Sequence, residues 1–381
     1  MGSRSEPAQQ EDIQPLEQAE TAQTRSLRLW QRILAAMVRA LARLEVTLDK
    51  LMWGLRRRVG RLGPLQVVAY RAYGTEAHAV VRGRVLEASV LERSLPADGR
   101  LRSFRRMLRR FNSSEVPAAS VRARAGKSQS AGATDDEGYF TLPLGLIESA
   151  VSSAGWHRAQ IDVVDVPVRG FEPAWAVADV LVPPPSAELG VISDIDDTVL
   201  QTHVTQKWKM IWVTLSGNAY TRMPFEGTTE LYRALVAGRT GNAENPVFYV
   251  SKSPWNLYDF LVDFMDHHHL PRGPLLLRDF GLREAPPLDH KSSAVREVFE
   301  MYPQLPFVLI GDSGERDPDI YLTTAALYPG RVRAIYIRDL GGRAEEAKRL
   351  CEKARELGTE MLWVSHASDA LEHARRLGLA K

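Results

Sequence analysis

The sequence predicts an α/β fold: a parallel sheet with helices on both faces, preceded by a small β-sandwich and an N-terminal amphipathic helix. Three patterns in the 381 residues carry this expectation. From about residue 187 to the C-terminus, short apolar runs alternate with helical stretches, as strand–helix–strand crossovers require. Over 65–183, apolar residues recur with period two between turn residues. From Leu27 to Leu55 they recur at steps of three and four.

Composition narrows the class. Hydrophobic residues make up 44% and charged residues 25%, the balance of a soluble globular chain, and the length suffices for two domains. The net charge of +2 hides an uneven distribution. Residues 1–24 hold one Arg against five acids, 25–64 ten basic residues against two acids, and 100–127 nine basic residues against one acid, so the remainder is net acidic. Cys351 is the only cysteine, which excludes an internal disulfide and suits a reducing, cytoplasmic setting. The first residues lack the basic-then-apolar order of a signal peptide, and Glu6 stands where a myristoylation signal needs Ser or Thr. No apolar run approaches the roughly 18 residues of a membrane span. The expectation is a cytoplasmic protein, at most peripheral to a membrane.

Residues 1–24, rich in Gln, Glu, Ala and Pro, read as a disordered acidic tail. Over 25–64 the stripe Leu27, Trp30, Leu34, Met37, Leu41, Leu44, Leu48, Leu51, Leu55 forms one helix face, with Arg28, Arg32, Arg39 and Arg43 mostly off it. Such a basic amphipathic helix suits an anionic membrane surface, and equally suits packing on the protein or self-association. LQVVAYRAYG, HAVVRGRVLEA, VRARAG, YFTLPL, HRAQIDVVDV and AWAVADVLV then read as strands of a β-sandwich over 65–183. TDDEGYF (134–140) resembles the turn-plus-strand signature of transthyretin-like and carboxypeptidase-regulatory-like sandwiches. LRSFRRMLRRF (101–111) reads either as a phosphate-contacting segment or as a solvated helix face. VPPPS (182–186) reads as a stiff linker.

The domain 187–381 carries the chemistry. In LGVISDIDDTVL (189–200) an apolar run breaks off into Asp194, Asp196 and Asp197. Carboxylates crowded at the end of a buried strand cost several kcal/mol unless a cation or strong hydrogen bonds offset them, so they suggest a metal site. Asp194 and Asp196 alternate onto one face, where one carboxylate can attack phosphorus and the other move a proton. Caps at a sheet-to-turn junction are the plainer alternative. NPVFYV delivers Ser251, followed by a helix opening at Ser253 and Pro254. Lys291 precedes a helix over 292–302. FVLIG delivers Asp312, with Asp317 five residues on, before a helix from Pro318 that stops at Gly330. A parallel sheet places all of these on one rim. Each also has an ordinary structural reading, as turn residue, surface charge or helix-start turn.

In that order DIDDT, VSKSPW, Lys291 and GDSGERDPDIY resemble the four motifs of the haloacid-dehalogenase (HAD) phosphatase superfamily. Within it they are similar to the catalytic domain of the actin-patch-associated, magnesium-dependent phosphatidate phosphatases. The resemblance implies a HAD-like Rossmannoid sheet, Asp194 as nucleophile forming an aspartyl phosphate, and Asp196 as the acid and base. It further implies that Ser251 and Lys291 hold the phosphoryl oxygens. Magnesium would be held by Asp194, the Asp196 carbonyl and Asp312, with Asp317 as ligand or neighbour. Asp319 stands where that family has Glu. Residues 199–244 are too long for one crossover helix and imply a lid. It bears Lys207, Trp208, Lys209, Trp212 and Arg222, suited to a lipid phosphate head group, or to a packed hairpin with solvated lysines.

Two further motifs are set aside. Gly311–Gly314 is a GDSG run, but no strand-borne His accompanies it upstream as a serine protease requires. His267–His269 close a helix before Pro271, where His suits the carbonyl end. The expected function is a Mg2+-dependent phosphatase acting on phosphatidate or a related lipid phosphate to give diacylglycerol. The alternatives are a phosphatase for a soluble ester and a membrane-binding or scaffolding module with a vestigial site. Nucleic acid is not an expected partner.

Overall fold

The computed structural model describes residues 63–87, 115–145, 155–168, 170–195, 227–278 and 290–381. The acidic tail, nearly all of the basic stripe 25–64, the segment 101–111 and most of 199–244, including Lys207, Lys209 and Arg222, lie outside the described residues. So does Asp196.

The N-terminal strands are β1 Leu65–Ala69, β2 Ala72–Gly74, β3 Ala79–Glu87, β4 Ser120–Ala125, β5 Ser128–Ala133, β6 Tyr139–Leu144, β7 Trp156–Asp165 and β8 Trp175–Leu181. They pair as one sheet in the order β1-β3-β2-β8-β7-β4-β5, with β6 on β3. This sheet curls until β5 faces β6. Gly145 N donates to Ser128 Oγ at 2.9 Å, and Leu142 packs against Gly132. The alternating residues Val81, Val121, Ala123, Leu142, Ile161 and Val180 fill the interior. The sequence reading missed β5, because SQSAGA is small, polar and largely exposed. TDDEGYF does turn as expected. Asp135 Oδ1 accepts from Glu137 N and Tyr139 N, both at 2.9 Å, and Gly138 takes φ 79° beside the Val85 carbonyl, where a Cβ would collide.

The C-terminal part contains β9 Gly190–Asp194, α1 Thr228–Ala237, β10 Val247–Pro254, α2 Tyr258–His267, β11 Leu275–Arg278, α3 His290–Met301, β12 Phe307–Asp312, α4 Asp317–Leu327, β13 Val332–Arg338, α5 Ala344–Glu356, β14 Glu360–Val364 and α6 Ala367–Arg376. The six strands are all parallel, in the order β11-β10-β9-β12-β13-β14. That is the doubly wound order, with its switch point between β9 and β12. Alternation along the strands divides the core in two. Val191, Tyr249, Val308, Ile310 and Tyr336 meet α1, α2 and α6 on one face. Ile192, Phe248, Leu309, Ile335 and Ile337 meet α3, α4 and α5 on the other. The expected helices on both faces are thus present.

Three boundaries differ from expectation. β10 stays extended through Pro254 and passes a 3-10 turn, Trp255–Leu257, so α2 begins at Tyr258 without a side-chain cap rather than at Ser253. Lys291 lies inside the first turn of α3, not before it. α4 ends at Leu327, short of Gly330. Cys351 lies half-buried on α5.

The two sheets belong to one compact unit spanning 63–167 and 171–381. The bend between β1 and β2 is the main joint. Tyr70 stacks on Trp255 with ring centroids 4.2 Å apart and tilts against Tyr258 at 4.6 Å. Arg71 N donates to Tyr258 Oη at 2.7 Å, and Arg71 pairs with Asp266 at 3.2 Å. Tyr73 Oη donates to Glu297 at 2.6 Å, Arg82 also pairs with Glu297, and Tyr302 Oη donates to the Gly74 carbonyl at 3.0 Å. The proline segment is tied on both sides: Val182 N donates to Gly155 O at 2.8 Å and Glu188 N to Asn245 Oδ1 at 2.8 Å. Because Tyr70 is buried between aromatic rings, Tyr70→Ala is expected to lower unfolding free energy by about 3 kcal/mol, measured by urea denaturation. A change within error would show that this joint contributes little.

Candidate active site

β9 and β12 are adjacent, parallel and buried along their whole lengths, and each ends in an aspartate at the switch point. Asp194 thereby meets Asp312 across one inter-strand gap. The chain leaves β12 through Ser313–Arg316 into α4, whose first residue, Asp317, turns back under the strand end. Gly311 permits that approach: a Cβ there would lie 2.4 Å from Asp317 Oδ2 and 2.8 Å from Tyr321. Asp317 Oδ2 accepts from Asp312 N at 3.2 Å, and Tyr321 Oη donates to Ile310 O at 2.9 Å. One oxygen each of Asp194, Asp312 and Asp317 lie within 4.8 Å of one another, and all three residues are fully buried.

Lys291 enters this cluster from α3, itself fully buried. Its Nζ lies 2.5 Å from Asp317 Oδ1, 2.8 Å from Asp194 Oδ1 and 2.9 Å from Glu315 Oε2. Burial works against its charge, but Asp194 and Asp317 outweigh burial and hold it well above the ordinary lysine range. A Lys in a helix's first turn opposes the dipole, so the carboxylates must hold it there. Ser251 is fully buried on β10, one residue beyond the Val250 that pairs in register with Asp194, and its Oγ accepts from Ser253 N at 2.9 Å. Of the residues expected from sequence, the structure therefore brings together Asp194, Lys291, Asp312 and Asp317, with Ser251 buried on the neighbouring strand.

Three participants were not expected from sequence: Lys252, Glu315 and Tyr232. Lys252 Nζ lies 2.8 Å from Glu315 Oε2, which also meets Lys291. Both residues sat inside motifs already singled out, VSKSPW and GDSGERDP; their charge was the available signal. Tyr232 was also missed: its Oη lies 2.5 Å from Ser193 Oγ, which donates to the Asp194 carbonyl at 2.7 Å and steadies the strand end.

Charge tests whether a divalent cation fits. Among the described residues, Asp194, Asp312, Glu315 and Asp317 face two cations, Lys252 and Lys291, so two negative charges are uncompensated when all are ionised. Asp312 Oδ1 accepts from Gly314 N at 2.6 Å and Glu315 N at 3.0 Å, while its buried Oδ2 has no hydrogen-bond donor. Burial, then the charges of Asp194 and Asp317, push the Asp312 carboxyl up to about 9; burial and Asp194 push Asp317 up to about 7. A buried carboxylate oxygen lacking a donor, in an all-oxygen cluster of charge minus two, fits a hard divalent ion such as Mg2+. By contrast, burial would raise the Glu315 carboxyl, but Lys291 and Lys252 hold it below its ordinary range.

Residues 189–339 match the family model of the catalytic domain of phosphatidate phosphatase APP1. Over 157 residues, 40% of this chain and 25% of the relative, the sequence is 32% identical to an uncharacterised protein of Schizosaccharomyces pombe. Over 155 residues, 39% of this chain and 26% of the relative, it is 30% identical to phosphatidate phosphatase APP1 of Saccharomyces cerevisiae. The matched part thus spans about a quarter of each of these relatives. The segment on which the four motifs lie thus matches the catalytic-domain family that they resemble.

The raised carboxyls give a signed prediction. Without metal, Asp312 and Asp317 keep protons that the unfolded chain gives up near its ordinary value of 3.8. Stability of the chelated protein is therefore expected to fall as pH rises through about 7 and on to about 9. Added Mg2+ should flatten the fall, and Asp312→Asn should raise the chelated protein's melting temperature at pH 8. A melting temperature that climbs between pH 6 and 9 in chelator would contradict this electrostatic picture.

Proposed function

We propose that the chain is a divalent-metal-dependent phosphatase that hydrolyses phosphatidate or a closely related lipid phosphate to diacylglycerol and inorganic phosphate. The observation that carries the reading is the convergence of Asp194, Lys291, Asp312 and Asp317 at the switch point of a doubly wound sheet. Ligands of such sheets bind beyond the strand ends. The lipid substrate is supported by the family of residues 189–339 and by the named activity of the Saccharomyces cerevisiae relative.

The residues divide the work as follows. Asp194 attacks phosphorus, forming a bond from its carboxylate oxygen while the phosphorus–oxygen ester bond breaks. Lys291 offsets charge on the phosphoryl oxygens, and Ser251, buried beside the nucleophile, donates a hydrogen bond to one of them. Asp196, two residues on, gives its proton to the departing alkoxide and then takes one from the water that cleaves the aspartyl phosphate. Asp317, held by Asp312 N and Lys291, positions the ammonium. Asp194, the Asp196 carbonyl, Asp312 and Asp317 would hold Mg2+, which when bound neutralises charge on the phosphoryl group. Water exclusion and head-group contacts fall to Lys207, Lys209 and Arg222 of the 199–244 segment.

The basic stripe 25–64 is the proposed contact with anionic membrane, or with a second copy of the chain. No helix among the described residues is long and apolar enough to cross a membrane.

Phosphate release from phosphatidate should exceed that from sugar and nucleotide phosphates, and should require Mg2+. Turnover confined to soluble esters would remove the lipid substrate. Asp194→Asn should lower kcat at least ~1,000-fold with an unchanged circular dichroism spectrum; an active folded variant would refute the nucleophile. Deleting 1–64 should abolish flotation with phosphatidate-containing vesicles while preserving turnover of a detergent-dispersed substrate, and undiminished flotation would exclude the stripe as the contact.

A further inference from the structure

Lys291 has no donor to spare for a phosphoryl group in the arrangement seen. An ammonium carries three N–H bonds, and three carboxylate oxygens surround it, from Asp317, Asp194 and Glu315 at 2.5, 2.8 and 2.9 Å. Asp194 and Asp317 are fixed by a strand end and a helix start and are wholly buried. Glu315 is different. It lies on the turn between β12 and α4, and its side chain is 21% exposed.

The same Glu315 Oε2 also meets Lys252 Nζ at 2.8 Å. One carboxylate oxygen therefore stands between two ammoniums, one from β10 beside Ser251 and one from α3. A carboxylate brings one negative charge to that pair of cations; a phosphomonoester dianion brings two and has three oxygens to share between them. Displacing Glu315 moves a rim carboxylate into water, whereas displacing Asp194 or Asp317 would strand a buried charge.

We propose that Glu315 is an internal anion occupying the phosphoryl position, and that the incoming phosphomonoester displaces it and takes both Lys291 and Lys252. Lys252 is then a second substrate-binding cation, and the lysine pair selects dianionic monoesters over monoanionic diesters. The inference rests on the phosphatase reading of the site and names what sets that site's selectivity. No covalent step is involved: one anion exchanges for another.

The test is calorimetric titration of the full chain with inorganic phosphate in the presence of Mg2+. Glu315→Gln and Glu315→Ala should each bind phosphate about tenfold tighter than wild type. In either background Lys252→Met should reverse about tenfold. In turnover, Glu315→Gln should lower KM without raising kcat, which a mere brace would not do. Unchanged or weaker phosphate binding in both Glu315 variants would make Glu315 a brace for Lys291 and overturn the proposal. Unchanged affinity on adding Lys252→Met would remove Lys252 from the site. Wild-type binding that Lys291→Ala abolishes but Glu315 variants leave alone would overturn the proposal while the phosphatase reading stands. Absence of phosphate binding by every chain, wild type included, would overturn both.

Discussion

Repulsion among buried carboxylates is the constraint on which the rest of the structure depends. Asp194, Asp312 and Asp317 are fully buried within a few ångströms of one another, and a single buried ammonium serves two of them. A protein interior does not hold such a cluster without protons, a cation or an anion-hungry partner nearby. Protons satisfy the chelated protein, as the raised Asp312 and Asp317 carboxyls indicate. A divalent ion, as proposed, would offset the two charges left over and supply a partner to Asp312 Oδ2, which has no hydrogen-bond donor. Strained electrostatics of this kind are retained where chemistry uses them.

Two elements must be held still for that cluster to work, and the curled N-terminal sheet reaches both. β10 carries Ser251 and Lys252 and runs on to Trp255, which stacks on Tyr70. α3 carries Lys291 in its first turn and Glu297 further along, which meets Tyr73 and Arg82; Tyr302, just past its end, meets Gly74. The bend between β1 and β2 therefore braces the strand and the helix that supply the proposed phosphate-side residues. The eight-stranded sheet is thus continuous in packing with the site's framework, and the sequence pattern at 65–74 gave no hint of that role.

The parallel sheet was legible because its strands are apolar on both sides and its punctuation is plain, as in GVISD ending at Asp194 and FVLIGD ending at Asp312. The convergence followed from parallel topology: β9, β10 and β12 deliver Asp194, Ser251 and Asp312 to one rim, and the helices that start at that rim, α3 and α4, bring Lys291 and Asp317 in their first turns. What stayed hidden depends on side-chain reach. Ser253-Pro254 reads locally as a helix start, yet β10 holds its extended path to Pro254 and pairs there with Arg278 on β11. Strand β5 lacks apolar alternation, because SQSAGA is small and polar and lies largely exposed at the sheet edge. Lys252 and Glu315 look like solvated charges until the turn after β12 brings them within 2.8 Å. Asp196, Lys207, Lys209 and Arg222 lie outside the described residues, and their expected roles rest on sequence alone.

The most direct measurement is anomalous diffraction from crystals soaked in Mn2+, a stand-in for Mg2+ with the same preference for oxygen ligands. A single strong peak at the Asp194, Asp312 and Asp317 cluster is expected, and it should vanish in Asp312→Asn. Saturating Mn2+ with no density among these carboxylates, or a peak bound elsewhere with the cluster left empty, would contradict the proposed metal centre and the phosphatase chemistry built on it.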